Sequence, residues 1–385
     1  MQNEVQNEVQ NEAQSATRFE TNAEAKIDRV DVRACRLPTE HGPESDGTAV
    51  WDSTTMVIAL VRAAGVTGTG YSYIDAAAAG VVRDLLAPAI AGLDACSIPA
   101  ATAAMLRAIR NHGRPGLVAC AISAVDVALW DLKARLCGVP LATLLGPARP
   151  SVPAYASGGF TSTTLDQLAR ELADYIAVGH RAVKIKIGRV PSGDVDRVRV
   201  AREAVGGDIE LMVDANGAYT RKQALALARR FAGHGVVYFE EPVSSDDLDG
   251  LRLIRDRAPD GMAIAAGEYG YDGWYFRRML EAGAVDILQA DATRALGITG
   301  FLQANALCAA RSLPLSSHCA PAIHAHAGAA ATQLVHLEYF RDHVRMEAIL
   351  FDGALPVVDG ALAFDPRAPR LGLTLRDREA DRHAA

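Results

Sequence analysis

The sequence predicts an α/β protein in which a (β/α)8 barrel is joined to a smaller α+β capping domain. After Pro150, short apolar runs alternate with helical stretches, which is typical of repeated βα units. Eight such runs follow one another, and their spacing fits one strand plus one helix, the repeat of a (β/α)8 barrel. Before Pro150, two strand-like segments precede an alanine-rich helical region, which favours a separate α+β domain.

The predicted capping domain spans residues 26–150. Ile27 to Cys35 alternates apolar and polar residues and Thr55 to Val66 is rich in β-branched residues, so both segments are predicted strands. Between Ala119 and Arg135 the apolar residues recur at helical spacing, and Gly138-Val139-Pro140 is expected to end that helix.

The predicted barrel spans residues 151–349, and residues 350–385 are expected to return to the cap. Residues 1–25 contain a repeated polar QNEV motif and are predicted to be a disordered tail. The eight predicted strands are Val152–Ser157, Ala182–Ile187, Ile209–Asn216, Val236–Glu241, Ala263–Glu268, Ala284–Asp291, Leu313–His318 and Leu334–Phe340.

Composition excludes several classes of partner. The 385 residues carry a formal charge of −7, which gives no reason to expect nucleic acid or an anionic membrane as a partner. No apolar run approaches the roughly 20 residues of a membrane span, and the N-terminus lacks the features of a signal peptide. The 6 cysteines show no paired spacing, which indicates free thiols. We therefore expect a cytoplasmic protein that acts on a small molecule.

Two lysines stand two residues apart in the second predicted strand. Lys184 and Lys186 therefore point to the same side of the strand, while the apolar residues between and around them point to the other. An edge strand with solvated lysines is the alternative, but the flanking residues fit a buried parallel strand better. The pattern predicts two cations entering the barrel interior together.

Three successive predicted strands end in a carboxylate: Asp214, Glu240 and Glu268. The C-terminal ends of barrel strands meet at one face, where barrel enzymes have their active sites. Converging carboxylates are costly unless a cation neutralises them, and oxygen-only ligation suits Mg²⁺ better than zinc. The acids could instead be independent caps or loop residues, but three in register favour a metal site.

The next three predicted strands add a second group of ionisable residues. Asp291 ends the sixth predicted strand and His318 ends the seventh, so the carboxylate is placed to orient the imidazole and raise its basicity. Glu338 lies in the eighth strand and is predicted to hydrogen-bond a substrate carboxylate oxygen. His324 and His326 lie beyond the strand and are expected to cap or line the following helix.

Other residues are candidates for substrate contact or structural roles. Asn216 shares the face of Asp214 and is a candidate either to contact a ligand of the metal or to contact the substrate. His41, in the loop from Pro38 to Thr48, is a second candidate for substrate binding. Glu241 alternates away from Glu240 and is expected to serve a structural pair.

Together these motifs resemble the mandelate racemase subgroup of the enolase superfamily, a group that includes muconate lactonizing enzyme. The resemblance covers about residues 27–375, and each motif alone is weak, whereas seven in order are specific. They are KIK at 184–186, VDAN at 213–216, FEEP at 239–242, AGE at 266–268, QAD at 289–291, SSH at 316–318 and HLEY at 336–339.

The resemblance implies a division of roles, a Mg²⁺ cofactor, a carboxylate substrate and self-association into a homo-oligomer. It assigns Mg²⁺ binding to Asp214, Glu240 and Glu268. It assigns proton transfer on one substrate face to Lys186, on the other face to His318 paired with Asp291, and stabilisation of the enediolate to Lys184 and Glu338. Crowded cations are expected to depress the pKa of Lys186 toward neutrality, as a base requires.

Two outcomes of proton abstraction stay open. A β-hydroxyl could leave as water, which is a dehydration, or the proton could return on the other face, which is a racemisation or epimerisation. The loop from Pro38 to Thr48 shows no apolar wall, which favours dehydration of a hydroxylated acid sugar such as an aldonate or aldarate. Its acidic residues Glu40, Glu44 and Asp46 would instead suit an amino-acid derivative. A barrel that has lost catalysis and only binds a partner is disfavoured because every motif is retained.

Overall fold

The computed structural model describes residues 25–368 and 370–385. The predicted disordered tail lies outside these residues except for Ala25, so nothing tests that prediction. Two structural units pack together: an antiparallel sheet with helices, and a closed parallel barrel. Within the described residues, no helix combines the length and apolar character needed to cross a membrane.

The barrel is built from parallel strands that pair in sequence order, and the last strand pairs with the first to close the cylinder. Each of the eight predicted runs overlaps a barrel strand, which confirms the predicted fold class. In order, and referred to below as the first to eighth barrel strands, they are Ser151–Gly158, Ala182–Lys186, Glu210–Asp214, Val236–Glu240, Ala263–Ala266, Ile287–Ala290, Leu315–Ser317 and Leu334–Phe340.

A helix follows each barrel strand and packs outside it. Capping boxes start two of these helices, with Thr164 and Gln167 at one and Thr220 and Gln223 at the other. In order the helices are Leu165–Ala177, Asp194–Val205, Arg221–Ala232, Leu248–Arg255, Gly273–Glu281, Gly297–Ala310, Pro321–Ala330 and Arg341–Leu350.

The cap consists of a three-stranded antiparallel sheet, a short hairpin and a set of helices. The sheet strands are Ile27–Pro38, Ser53–Ala63 and Val66–Tyr73, and the hairpin strands are Glu44–Ser45 and Val50–Trp51. The helices are Ala78–Val81, the π-helical Val82–Leu86, Ala87–Ile90, Ile98–Ala108, Leu117–Cys137 and Leu141–Leu145.

One long helix, Leu117–Cys137, joins the cap sheet to the barrel. The predicted helix at 119–135 lies within it, and Gly138 ends it in the left-handed conformation with φ of 66°. A Cβ on Gly70 would lie 2.3 Å from the carbonyl oxygen of Ala124, so only glycine allows the sheet to approach this helix.

The C-terminal segment contacts both units. Phe351–Asp352 pairs with Thr374–Leu375, and Ala361–Ala363 pairs antiparallel with the first barrel strand. After the helix Asp377–Arg382, the backbone N–H of Ala385 donates to the carbonyl of Ala34 in the cap sheet. The boundaries at residues 150 and 349 remain a division proposed from the sequence.

Candidate active site

The C-terminal ends of the barrel strands, here called the barrel mouth, bring the predicted charged residues together. Strand register places Lys186 opposite Asp214 and Asp214 opposite Glu240. All three side chains are buried. The shared register explains why residues far apart in the chain meet at one level of the barrel.

The carboxylates of Asp214, Glu240 and Glu268 form one cluster. One oxygen of each lies within 4.8 Å of the others, and all three residues are buried. Glu240 Oε1 has no hydrogen-bond partner among the described residues, although it is buried. Three clustered carboxylates with an open oxygen fit a hard divalent cation such as Mg²⁺.

Mutual repulsion within this cluster appears in the pKa of Glu240. Burial raises the pKa of Glu240 to about 8, and the charge of Asp214 adds to that increase, although Lys184 acts against it. A cation bound among these carboxylates would favour their charged form, so the cluster favours cation binding.

Lys184, on the second barrel strand, is fully buried. Its Nζ lies 2.7 Å from Glu240 Oε2, 2.8 Å from Glu338 Oε1 and 3.3 Å from the hydroxyl of Tyr155. Burial alone would lower the pKa of Lys184, but the charges of Glu240 and Glu338 outweigh it and hold the pKa well above its usual range. Lys184 is therefore a permanent cation.

Lys186 contacts Asp214, with 2.5 Å between Nζ and Oδ2. Burial lowers the pKa of Lys186, but the charge of Asp214 more than offsets it, so the net shift is upward. The expectation that the pKa of Lys186 is depressed is therefore wrong when only the protein's own side chains surround it. The reason is that a single short contact with a carboxylate outweighs the more distant cation Lys184.

His318 is held by a carboxylate, as predicted. Its Nδ1 lies 2.7 Å from Asp291 Oδ2, and its Nε2 lies 3.3 Å from Glu268 Oε2. Asp291 Oδ1 is itself fixed by Thr293, which donates from its backbone N–H and its hydroxyl. Burial would lower the pKa of His318, but the charge of Glu268 and the hydrogen bond to Asp291 raise it.

Lys186 and His318 line one cavity of about 190 Å³. They come from the second and seventh barrel strands, which are three or more strands apart in either direction around the barrel. A small ligand in the cavity therefore meets a nitrogen base on two sides. The lining is completed by Asp46, Trp51, Thr54, Asn216, Glu268, Tyr269, Arg294, Cys319, Glu338, Phe340 and His343.

Arg294 is a charged residue that the sequence reasoning missed. Its Nη1 lies 3.3 Å from Glu268 Oε1 and donates to the backbone carbonyl of Glu268 as well. Burial would raise the pKa of Glu268, but the charges of His318 and Arg294 lower it to about 2. The position of Arg294, three residues beyond Asp291, was the available signal.

The two candidate substrate-binding residues differ in placement. Asn216 lines the cavity with a left-handed φ of 46°, and its Oδ1 is buried without a hydrogen-bond partner among the described residues. His41 does not reach this cavity. It is exposed, lies 3.7 Å from Glu40 and borders a separate cavity of about 540 Å³. The part of the loop that reaches the barrel mouth comes later in the chain, at Asp46 and Trp51.

The expected lack of an apolar wall at the loop is wrong. Trp51 lies just beyond the segment from Pro38 to Thr48 and lines the cavity together with Phe340, so an aromatic wall is present. Of the three loop acids, only Asp46 lines the cavity. Glu40 pairs with Arg341 at 2.7 Å, and Glu44 is buried, with its pKa raised to about 8 by burial and by Asp342.

Glu241 does not form the structural pair that was expected. It is buried, has a left-handed φ of 38°, and its Oε1 has no hydrogen-bond partner among the described residues. Its pKa is raised well above the usual range by burial and by the nearby charges of Glu268 and Asp214. Glu241 is therefore a fourth acid beside the carboxylate cluster.

His324 and His326 line the seventh barrel helix, as predicted. His324 Nδ1 lies 2.7 Å from the carbonyl oxygen of Cys319, and Nε2 accepts from the backbone N–H of Ala292. His326 Nδ1 accepts from the backbone N–H of Ala142. Both histidines therefore form hydrogen bonds with backbone groups.

Family models match most of the chain. Residues 29–146 match the mandelate racemase / muconate lactonizing enzyme N-terminal domain, and residues 167–380 match the enolase C-terminal domain-like model. The chain is thus a member of the enolase superfamily, in the mandelate racemase / muconate lactonizing enzyme group.

Solved structures and characterised relatives agree with this membership. A mandelate racemase/muconate lactonizing enzyme-like protein from Rubrobacter xylanophilus is 53% identical with a TM-score of 0.91, covering 94% of this chain and 100% of that one. A second structure is L-talarate/galactarate dehydratase from Salmonella typhimurium, liganded with Mg and L-lyxarohydroxamate. It is 30% identical with a TM-score of 0.86, and the match covers 96% of this chain and 95% of that one.

Among relatives compared by sequence, arabinonate dehydratase from Saccharolobus solfataricus is 32% identical over 66% of this chain and 69% of its own length. A 3,6-anhydro-alpha-L-galactonate cycloisomerase from Streptomyces coelicolor is 34% identical over 80% of this chain and 86% of its own length. The chain is an enzyme of this superfamily, and Mg²⁺ is its cofactor.

Proposed function

We propose that this enzyme removes the proton α to the carboxylate of an acid sugar and eliminates the β-hydroxyl as water, giving a 2-keto-3-deoxy acid. The observation that carries the proposal is the cavity that Lys186 and His318 line from two sides, above a cluster of three carboxylates. Dehydratases of arabinonate and of talarate/galactarate among the relatives support the same reaction class.

Asp214, Glu240 and Glu268 are the proposed ligands of Mg²⁺. When bound, the ion neutralises these carboxylates and supplies a Lewis acid for the oxygens of the substrate carboxylate. Lys184, fixed as a cation between Glu240 and Glu338, adds positive charge beneath the same oxygens. The chain's own groups thus stabilise the negative charge that develops on the substrate.

Lys186 is the proposed base on one face. Its Nζ takes the α-proton, so the C–H electron pair moves into the enediolate. Lys186 must be neutral to act, and the contact with Asp214 that raises its pKa loses its effect once Asp214 is engaged as a ligand. The ring of Phe340 lies beside the lysine, with its centre 5.8 Å from Nζ.

His318 is the proposed acid on the other face. Its raised pKa favours the imidazolium, and Asp291 fixes Nδ1 so that Nε2 faces the cavity. As the enediolate collapses, the bond from Cβ to the hydroxyl oxygen breaks, and Nε2 gives its proton to the departing hydroxyl. Water leaves, and the resulting enol becomes the keto acid as Cβ takes up a proton and the enol oxygen loses one.

Asn216 is the proposed contact for a substrate hydroxyl. Its buried Oδ1 has no partner among the described residues, so it is available to accept from a hydroxyl donor. An unpaired buried acceptor discriminates strongly against substrates that lack the donor. This supports a hydroxylated substrate despite the aromatic wall of Trp51 and Phe340.

Racemisation or epimerisation is the second candidate function, because the same two bases would return the proton on the opposite face. The aromatic residues Trp51 and Phe340 favour it, since they would suit a less hydroxylated carboxylate. A hydrophobic dipeptide epimerase from Enterococcus faecalis, 30% identical over 48% of this chain, is among the relatives.

A screen of aldonates, aldarates and α-substituted carboxylates with Mg²⁺ in deuterated water separates the two. We expect a 2-keto-3-deoxy acid from at least one acid sugar. Deuterium at the α-carbon with inversion and no keto acid would replace the dehydratase proposal with the second candidate. Neither product from any substrate would contradict both.

A further inference from the structure

Cys319 places a sulfur atom beside the proposed acid of the active site. Its Sγ lies 3.3 Å from His318 Nε2 and 3.5 Å from Glu338 Oε2. The third side of this triangle, from His318 Nε2 to Glu338 Oε2, is 4.0 Å. All three residues are buried, and all three line the cavity of about 190 Å³.

These separations match one face of a coordination tetrahedron. Zinc bonds of about 2.0–2.3 Å to nitrogen, oxygen and sulfur place neighbouring ligand atoms roughly 3.3–3.8 Å apart. Two of the three observed distances fall in that range, and the third exceeds it by a few tenths of an ångström. A fourth coordination position would face the cavity, where water is available.

Surrounding contacts already orient the donor atoms. Asp291 holds His318 Nδ1 and so orients Nε2 away from itself, the arrangement that commonly supports a metal-binding histidine. The backbone N–H of Cys319 donates to Glu338 Oε2 at 2.9 Å, and Lys184 holds Glu338 Oε1. The donor set therefore needs little rearrangement to bind an ion.

Donor chemistry distinguishes this set from the carboxylate cluster. A sulfur, an imidazole nitrogen and one carboxylate oxygen suit a borderline-soft ion, whereas Asp214, Glu240 and Glu268 offer only oxygen. Glu268 and Asp291 also lie beside His318 and add negative charge on that side of the donor set. Two ions of different character thus have different ligands within one barrel mouth.

We propose that His318, Cys319 and Glu338 form a second metal site that takes a thiophilic divalent cation such as Zn²⁺. Bonds form to Nε2, Sγ and Oε2, and the thiol proton of Cys319 and the Nε2 proton of His318 pass to solvent. Occupancy removes Nε2 from proton transfer and inhibits the enzyme. The binding is independent of the reaction, whereas the inhibition rests on the proposed function.

Cobalt titration of the full-length protein tests the binding directly. With excess Mg²⁺ present to occupy the carboxylates, Co²⁺ should give a thiolate-to-cobalt charge-transfer band and the visible bands of a tetrahedral ion. Cys319→Ser should abolish the charge-transfer band and weaken Co²⁺ binding by about 100-fold or more, because it removes a direct ligand. Cys137→Ser, which changes an exposed thiol, is the matched control and should keep the band.

Absence of a thiolate band in the unmodified protein would overturn the proposal, and so would a band that persists in Cys319→Ser. Circular dichroism checks that the variant is folded, and Cys319→Ala serves if it is not. Zinc should also suppress dehydration of a responding substrate in the unmodified protein far more than in the serine variant. Equal suppression would overturn the inhibitory role. The cobalt spectra need no substrate, so they would still test metal binding if the substrate screen gave no product.

Discussion

Two regions of this molecule bury carboxylates, and they treat them differently. Where the cap helix Leu117–Cys137 packs against the rest of the chain, Asp131 accepts from the backbone N–H groups of Thr69 and Leu371 and from Arg135. At the barrel mouth, one oxygen of Glu240 and one of Glu241 have no partner among the described residues.

The difference separates structural acids from functional ones. A buried acid whose lone pairs are filled by the protein stabilises the fold and has no capacity for a ligand. A buried acid with an open oxygen costs stability unless a ligand completes it. The following predictions test this distinction, from the largest expected effect to the smallest.

Glu240→Gln should lower activity by about 10⁴-fold or more, because it removes a charged ligand from the proposed metal site. Titration with Mg²⁺ followed by calorimetry should show binding weakened in parallel. Thermal unfolding should show the metal-free variant at least as stable as the parent, since one of three repelling carboxylates becomes neutral. A large loss of stability would show that Glu240 is structural.

His318→Asn should lower dehydration by about 10³-fold, the typical contribution of a general acid or base. Exchange of the α-proton in deuterated water should be affected much less, because Lys186 acts on the other face. Nuclear magnetic resonance of one reaction mixture measures both rates. Equal loss of both would contradict the separation of roles between these two residues.

Asp131→Ala should lower the free energy of unfolding by about 3–5 kcal/mol, because it leaves Arg135 and two backbone N–H groups without their partner. Denaturant titration measures this change. The kcat of the folded fraction should be unchanged, since Asp131 does not line the cavity. A loss of kcat without a loss of stability would contradict the assignment of Asp131 as a structural acid.

Asp126 makes the stability depend on pH. Burial raises its pKa to about 7, although hydrogen bonds from Thr299 act against this, while an unfolded aspartate has a pKa near 3.9. The folded protein binds this proton more tightly, so the stabilisation is complete below about pH 4 and is lost as the pH rises through 7. Asp126→Asn should remove this loss, which is at most about 4 kcal/mol.

Denaturant titrations at several pH values check the prediction for Asp126. Glu347 is a useful control, because burial raises its pKa to about 7 as well. A plot of the free energy of unfolding against pH should have different slopes for the parent and for Asp126→Asn, while both proteins retain the contribution of Glu347. Parallel pH profiles for the two proteins would contradict the assigned pKa.

Much of the site could be predicted because barrel strands place their last residues at one end. Asp214, Glu240 and Glu268 each follow an apolar run, and strand period alone puts Lys184 and Lys186 on one face. The pairing of His318 with Asp291 followed from adjacent strands. These inferences needed only local pattern and fold.

Residues on loops and on the cap could not be placed in this way. His41 and Trp51 lie in the same loop, yet only Trp51 reaches the cavity, because the path of a loop depends on tertiary contacts. Thr161 fixes that path by donating to the carbonyls of Ser45 and Asp46. The pKa of Lys186 was missed for a related reason, since it depends on a distance that sequence does not contain.

The central claim is that the barrel mouth uses Mg²⁺ to remove a proton α to a carboxylate, with Lys186 as one base. The most direct measurement is deuterium exchange at the α-carbon of a responding substrate, with and without Mg²⁺, in the parent protein and in Lys186→Ala. We predict exchange that requires Mg²⁺ and is lost from one face in the variant. Exchange that persists without Mg²⁺, or unchanged on both faces in Lys186→Ala, would contradict the claim.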